Sequence, residues 1–250
     1  MGSRISRIHG VVAAVTSSTQ WNYYHWLFDV LPRLSILEDF RMDYDHLYIQ
    51  NNTRFQDQTL SLVRVDKNRL LDCDTLPIIQ ADVLQVPCHQ STGTKYYPMW
   101  VTERLRSWFL PHLDQSNDKR RIYIARSQKN GRCLANEHEI LSFLTSTGFE
   151  YILPERLSFL DQVRAFRDAE VVVAPHGAGL ANIVFCSAGT KVIELFPSDT
   201  KYTYYKISQT AGLDYYFVKA PGEQNRTMSR ENFLIRLEDL QQTFKLAHIG

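Results

Sequence analysis

The sequence predicts an α/β protein of two lobes, the second a parallel sheet covered by helices. Three observations carry this. Strand-like runs alternate with helical windows along the chain, most cleanly after residue 120. In that half the runs EVVVAP (170–175) and TKVIELF (190–196) are dominated by apolar residues, as expected of strands buried on both faces. The length of 250 residues is near the size at which a single core stops growing and chains divide. The polar stretch LDQSNDKR (113–120) interrupts the pattern, which gives a first lobe over 1–115 and a second over 116–250.

In the first half, IHGVVAAV (8–15) reads as a strand. Residues 20–31 read as a helix that Pro32 ends or kinks, because proline lacks the N–H and its ring meets the preceding turn. HLYIQ (46–50) is strand-like, and 55–65 is an amphipathic helical window. Residues 69–72 and 76–86 are short strands interrupted by Pro77 and Pro87. Residues 98–110 form a helix with Pro98 at its start and Pro111 past its end.

The second half opens with the strand RIYIA (121–125). Asn136 and Glu139 resemble a capping box for a helix through Leu144, and Gly148 is a natural stop. YIL (151–153) is a short strand. Ser158 caps the next helix, with Asp161 near its positive end. After strand 170–175, HGAGLANIVF turns into a helix. Strand 190–196, helix 201–211, strand 214–218 and a long terminal helix over 229–247 follow. The terminal helix is expected to pack back on the first lobe.

Composition excludes several classes. Hydrophobic residues make up 44% and charged residues 22%, so the chain is neither disordered nor fibrous. The formal net charge is +1, so no global field attracts nucleic acid or anionic membrane, and an anionic ligand must be held by a local cluster. Cys73, Cys88, Cys133 and Cys186 contain no C-x-x-C spacing, and a reducing, cytoplasmic setting is expected. The apolar run Val11–Val15 is too short for a signal-peptide core or a membrane span. The sequons at Asn51 and Asn225 are therefore read as chance.

Four constellations carry chemistry. The first is Pro175-His176-Gly177-Ala178-Gly179-Leu180-Ala181-Asn182, a glycine turn between a buried strand and a helix. Small residues let a ligand approach the main chain, and the helix start offers N–H groups suited to a diphosphate. His176 can add a donor. The plain alternative is a tight turn that needs only small residues. The second is Arg126, Lys129 and Arg132, just past a strand's carboxyl end, where open α/β sheets bind ligands. A solvated loop is the commoner fate of such charges, but two strand ends converging on one crevice favour a site. The third is Glu194, an acid in a buried strand, which can accept from ribose hydroxyls or pair with a cation. The fourth is a polar stripe of Asn22, His25 and Asp29, within an arc of about 60°, on a helix otherwise apolar or aromatic. His25 and Asp29 are close enough to interact, as a catalytic pair or as a structural one.

Taken together and in this order, several stretches resemble glycosyltransferase family 61, notably its bacterial, cyanobacterial-like branch. They are NYYHWLFDVLPRL (22–34), RIYIAR (121–126), RCLANEHE (132–139), FEYILPERLSFLDQVRAF (149–166), VVVAPHGAGLANIVF (171–185) and KVIEL (191–195). Ala181 departs from the Thr or similar residue often found there, while Gly177, Gly179 and Asn182 are kept. The first motif follows soon after the start of the chain, so a trimmed first lobe is expected.

The resemblance implies an inverting transferase with a GT-B-like fold, two Rossmann-like lobes facing across a cleft. The C-terminal lobe is expected to hold a nucleotide-sugar, a UDP-sugar first among candidates. The implied reaction moves a hexosyl or pentosyl group to a hydroxyl acceptor such as a glycan or polysaccharide. Asp29 is the first choice of base, oriented by His25, with His25 itself the second choice. Asn22 belongs to the substrate set. Arg126, Arg132, His176 and the turn Gly177, Ala178, Gly179, Leu180 and Asn182 are expected at the diphosphate, and Glu194 at the ribose. No metal is expected to be required, although Asp72-Cys73-Asp74 has D-x-D spacing and the family includes metal-stimulated members. A nucleotide-sugar-binding protein without turnover is the rival reading, disfavoured by the His25–Asp29 pair. An epimerase or oxidoreductase is disfavoured by the missing G-x-G-x-x-G.

Overall fold

A computed structural model of the chain describes residues 5–88, 98–126, 133–197, 200–221 and 232–250. The chain divides into two units, Met1–Trp108 and Phe109–Gly250. The boundary lies a few residues before the expected 115/116. Phe109 closes helix α4 (Met99–Phe109), and its ring packs edge-on against Phe159 at 4.6 Å and Phe185 at 6.1 Å. Those aromatic contacts draw the end of α4 into the second unit.

The first unit is built on β1 (Ser6–Ala14), β2 (His46–Ile49), β3 (Leu70–Asp72) and β4 (Ile79–Gln85). Among the described residues they form a parallel sheet in the order β3-β2-β1-β4. Strand order reverses between β1 and β4, so the loop and helix leaving β1 occupy the switch point. That helix does not end at Pro32. It runs as α1 (Tyr23–His25), a π-helical turn (Trp26–Val30) and α2 (Leu31–Asp39). Pro32 has no N–H to give, and its ring crowds the carbonyl one turn back. The wider turn, in which the Leu31 N–H reaches the Trp26 carbonyl, accommodates it. Helix α3 (Arg54–Leu62) starts with a full capping box, Thr53 with Gln56, and its Thr59 accepts the buried Trp26 indole N–H at 2.9 Å.

The second unit holds β5 (Arg120–Ile124), β6 (Phe149–Ile152), β7 (Ala169–Pro175), β8 (Lys191–Phe196) and β9 (Asp214–Lys219). All pair in parallel in the order β6-β5-β7-β8-β9, the doubly wound order with its switch point between β5 and β7. The helices are α5 (Glu137–Ser146), α6 (Phe159–Arg167), α7 (Thr203–Ala211) and α8 (Leu237–Leu246). One sheet face, with Tyr123, Val171, Val173, Ile193 and Leu195, packs into a core with Ile140, Leu144, Leu240 and Phe244. Helix α8 thus belongs to the core of its own unit, where Phe244 meets Phe143 and Phe149. Its described span is also shorter than 229–247, and residues 222–231 lie outside the described set. Asn136 holds the N-cap position of α5 but its side chain makes no capping bond to the helix. Its amide instead clamps the Ile235 backbone, donating at 2.8 Å and accepting at 3.2 Å.

Candidate functional site

In the second unit the polar residues occupy the face opposite that core. The period of two puts Ile122 and Ile124 of β5, Val172 and Ala174 of β7, Glu194 and Phe196 of β8, and Tyr215 and Phe217 of β9 on this side. Arg126 and His176 follow just past the ends of β5 and β7, at the switch point. The Arg126 guanidinium Nη1 donates to the His176 carbonyl at 2.6 Å, and the His176 N–H donates to the Leu195 carbonyl at 2.9 Å.

Gly177 is extended, at φ 170° and ψ 172°, so its backbone does not require glycine. Space does. A Cβ there would lie 1.9 Å from Arg126 Nη1 and 2.9 Å from its Cζ. The missing side chain makes room for the guanidinium, a reason the sequence did not disclose. Gly179 is less constrained, since a Cβ would meet Ile124 at 3.4 Å and Pro154 at 3.7 Å, ordinary contact. The helix expected after the turn is Ala178–Phe185, of the tighter 3-10 kind, and Gly177 precedes it.

Two expected ligand residues turn inward. Leu180 is buried, and so is Asn182, whose amide donates to Gln162 Oε1 at 3.0 Å and to the Gly179 carbonyl at 3.3 Å. They hold the turn against α6 and do not line its open side. Arg132 and Lys129 lie outside the described residues.

Glu194 is 0% exposed. Its Oε1 takes His176 Nδ1, and its Oε2 accepts the Tyr215 hydroxyl at 2.5 Å. Burial pushes the Glu194 carboxyl up from its ordinary range, while His176 and Tyr215 pull it down. Burial, and the adjacent Glu194, also push the Tyr215 phenol up, so it stays protonated and donates. Sequence reasoning missed Tyr215. The available signal was an aromatic hydroxyl on the strand following the buried acid, and only register brings the two together. Glu194 therefore presents no open carboxylate to a ribose in this arrangement.

In the first unit, Asn22 is the N-cap of α1, its side chain accepting the Tyr24 N–H at 3.0 Å. That capping bond accounts for its place in the pattern. His25 Nδ1 and Asp29 Oδ2 are in direct contact across one turn. Their side chains keep 23% and 19% exposure, while Trp26, Leu27, Phe28 and Val30 around them are at 0%. A core ion pair would share the burial of its neighbours; this pair opens outward. A carboxylate only accepts, so with Asp29 ionised the Nδ1 edge donates and Nε2 is the ring's other nitrogen. Arg33, one turn further on, donates to the Thr16 carbonyl at 2.5 Å and ties the helix to the loop after β1.

Among the described residues, Asp72, Cys73 and Asp74 form one group whose ligand atoms lie within 4.8 Å of one another. Asp74 Oδ2 accepts the amides of Gln50 and Asn52, and Cys73 Sγ accepts from Gln20. No helix among the described residues is long and apolar enough to cross a membrane.

A doubly wound sheet with a cation and a glycine turn at its switch point defines the class of α/β domains that bind ligands on strand-end loops. The particular family follows from sequence: the profile described as Glycosyltransferase 61 matches residues 23–193, and the chain belongs to that family. It is 30% identical over 115 residues to a beta-1,2-xylosyltransferase of Arabidopsis thaliana, covering 39% of this chain and 22% of that protein. It is 25% identical over 142 residues to the EGF domain-specific O-linked N-acetylglucosamine transferase of Drosophila melanogaster, covering 56% of this chain and 25% of that one. The chain thus spans a quarter or less of the length of these relatives. Among solved structures, E. coli heptosyltransferase WaaC with ADP aligns over 96% of this chain and 98% of that one, at 11% identity and a TM-score of 0.47.

Proposed function

We propose that the protein is an inverting glycosyltransferase that moves a sugar from a UDP-sugar to a hydroxyl of a glycan. Family membership supports transfer of this general kind. Two parallel-sheet units in one chain are the composition of a GT-B enzyme. The observation that carries the reading is Arg126, held over Gly177 at the β5/β7 switch point by the His176 carbonyl. In a chain of formal net charge +1, it is the local cation that a diphosphate needs.

The reaction is a single displacement. The acceptor hydroxyl gives its proton to His25 Nε2 as its oxygen bonds to the anomeric carbon. The bond from that carbon to the phosphate oxygen breaks, and the diphosphate leaves with the electron pair. Arg126 and the N–H groups at the start of Ala178–Phe185 stabilise the charge that develops. Asp29 holds the His25 ring in its productive tautomer and compensates its charge as it takes the proton.

The test is calorimetric titration with UDP, then UDP release from UDP-sugars with and without acceptor glycans. Release that depends on an acceptor and is lost in His25→Ala supports transfer. UDP binding with no turnover for any donor–acceptor pair would leave a nucleotide-sugar-binding protein, the rival reading.

A further inference from the structure

Resting on the reading of the strand-end crevice as a nucleotide site, we propose that His176 is a hydroxyl acceptor for the nucleotide-sugar, positioned by Glu194 and Tyr215. The sequence pattern gave His176 to the phosphates and Glu194 to the ribose. The hydrogen bonds redistribute these tasks.

Glu194 has no exposed surface and uses each oxygen once, Oε1 on His176 Nδ1 and Oε2 on the Tyr215 hydroxyl. A ribose hydroxyl reaches it only by displacing one of them. A carboxylate on Nδ1 holds the ring proton there, so Nε2 presents a lone pair. A lone pair is repelled by phosphate oxygen and accepts from a hydroxyl. The acceptor capacity of the buried acid is thereby carried through the imidazole to its outer edge, as carboxylates do for histidines that bind metals.

The ring is held on its other sides as well. Phe196 stacks on it with centroids 5.2 Å apart and planes 23° apart, and Tyr204 of α7 flanks it at 5.4 Å. His176 keeps 12% of its side chain exposed. Among the described residues, the titratable and charged groups around it include Glu194, Tyr215, Tyr204 and Arg126, with Tyr205 of α7 edge-on against Tyr215, and Arg126 engages the His176 carbonyl. The 3-10 segment Ala178–Phe185 contributes none. The cation is thus committed beside the main chain, and the outer edge of the ring is left for a hydroxyl.

The experiment uses the full chain labelled with ¹⁵N-histidine. Two-bond ¹H–¹⁵N spectra identify the His176 tautomer, and calorimetry compares UDP, 2′-deoxy-UDP, 3′-deoxy-UDP and inorganic pyrophosphate. Wild type is expected to carry the proton on Nδ1 and to bind one deoxy ligand about tenfold more weakly than UDP. If both deoxy ligands bind as UDP does, the same penalty is expected between a UDP-sugar and its deoxysugar analogue, which assigns the hydroxyl to the sugar.

Glu194→Gln is expected to reverse the tautomer. With Tyr215 donating to the amide oxygen, the NH₂ faces Nδ1 and the proton moves to Nε2. The ligand hydroxyl must then accept from Nε2–H in place of donating to a lone pair, so the deoxy penalty changes while pyrophosphate affinity is unchanged. In Glu194→Gln combined with Tyr215→Phe, the amide is free to turn, and both the Nδ1 proton and the wild-type penalty return. A purely structural pair would show the same tautomer changes with no accompanying change in the deoxy penalty.

An Nε2-protonated wild type overturns the proposal, and so does wild-type binding of UDP and its sugars without any hydroxyl discrimination. Wild type that binds neither UDP nor pyrophosphate overturns the crevice reading itself, a distinguishable result.

Discussion

Gly177→Ala separates the two explanations of the glycine turn. Backbone strain is not at issue, since the residue is extended. The new methyl would lie 1.9 Å from Arg126 Nη1, so the guanidinium must leave its place over residue 177. It is the far end of a flexible side chain and can swing away at little cost to the fold. What is lost is its bond to the His176 carbonyl, and with it the orientation of the charge toward the crevice. A hydrogen bond to a charged group is worth about 1.5–3 kcal/mol. Losing one such bond to diphosphate corresponds to roughly a 10- to 150-fold fall in UDP affinity. The assay is calorimetric titration of wild type, Gly177→Ala, Arg126→Ala and the double variant, with circular dichroism and thermal melts as controls. The single variants should lose similar affinity, and the double variant little more, because both remove the same contact. Melting temperatures should stay close to wild type. A folded Gly177→Ala with full UDP affinity would falsify the reasoning. So would losses that add in the double variant, since the glycine would then act independently of the arginine.

Other outcomes follow from the same geometry. Asp29→Asn keeps shape but puts an amide against His25, so kcat for transfer should fall on the order of 10²-fold or more with UDP affinity unchanged; His25→Ala should fall at least as far, and near-normal turnover in both would remove the pair from the chemistry. Pro32→Ala restores an N–H that can rewind the Trp26–Val30 turn to α-helix, so melting should hold or rise while turnover drops; unchanged kinetics would show that the π turn does not set the His25–Asp29 geometry. Ser158→Ala removes the N-cap of α6 and should cost about 1 kcal/mol in denaturant unfolding at pH 7. The Ser158 hydroxyl, with help from Arg164, holds the Asp161 carboxyl below its ordinary range. A depressed acid stabilises the fold above its unfolded value of 3.8 and loses that contribution as pH falls through the lower folded value. Wild type should therefore lose stability below about pH 4 more steeply than Ser158→Ala, and parallel curves would contradict this.

The order of strands and helices in the second unit was legible in the sequence because continuous apolar runs such as VVVA (171–174) can be satisfied only by burial on both faces. The convergence of Arg126 and the His176–Gly179 turn was legible for the same reason: both lie just past strand ends, and strand ends in an open parallel sheet share one edge. The contact of His25 with Asp29 was also readable, since four residues span one helical turn. Sequence did not show which elements are locally distorted. Pro32 announced a break, yet the helix absorbs it by widening, because the packing of Trp26, Leu27 and Phe28 holds both sides in one rod. Nor could sequence distinguish a small residue kept for a ligand from one kept for a neighbour. Gly177 makes room for Arg126, and Asn182 braces Gln162, through contacts 51 and 20 residues apart along the chain. The Glu194 environment was least visible of all. A buried acid must find partners, and that much is physical necessity. Which partners it finds depends on the register of β7, β8 and β9, which brings His176, just past the end of β7, together with Glu194 of β8 and Tyr215 of β9.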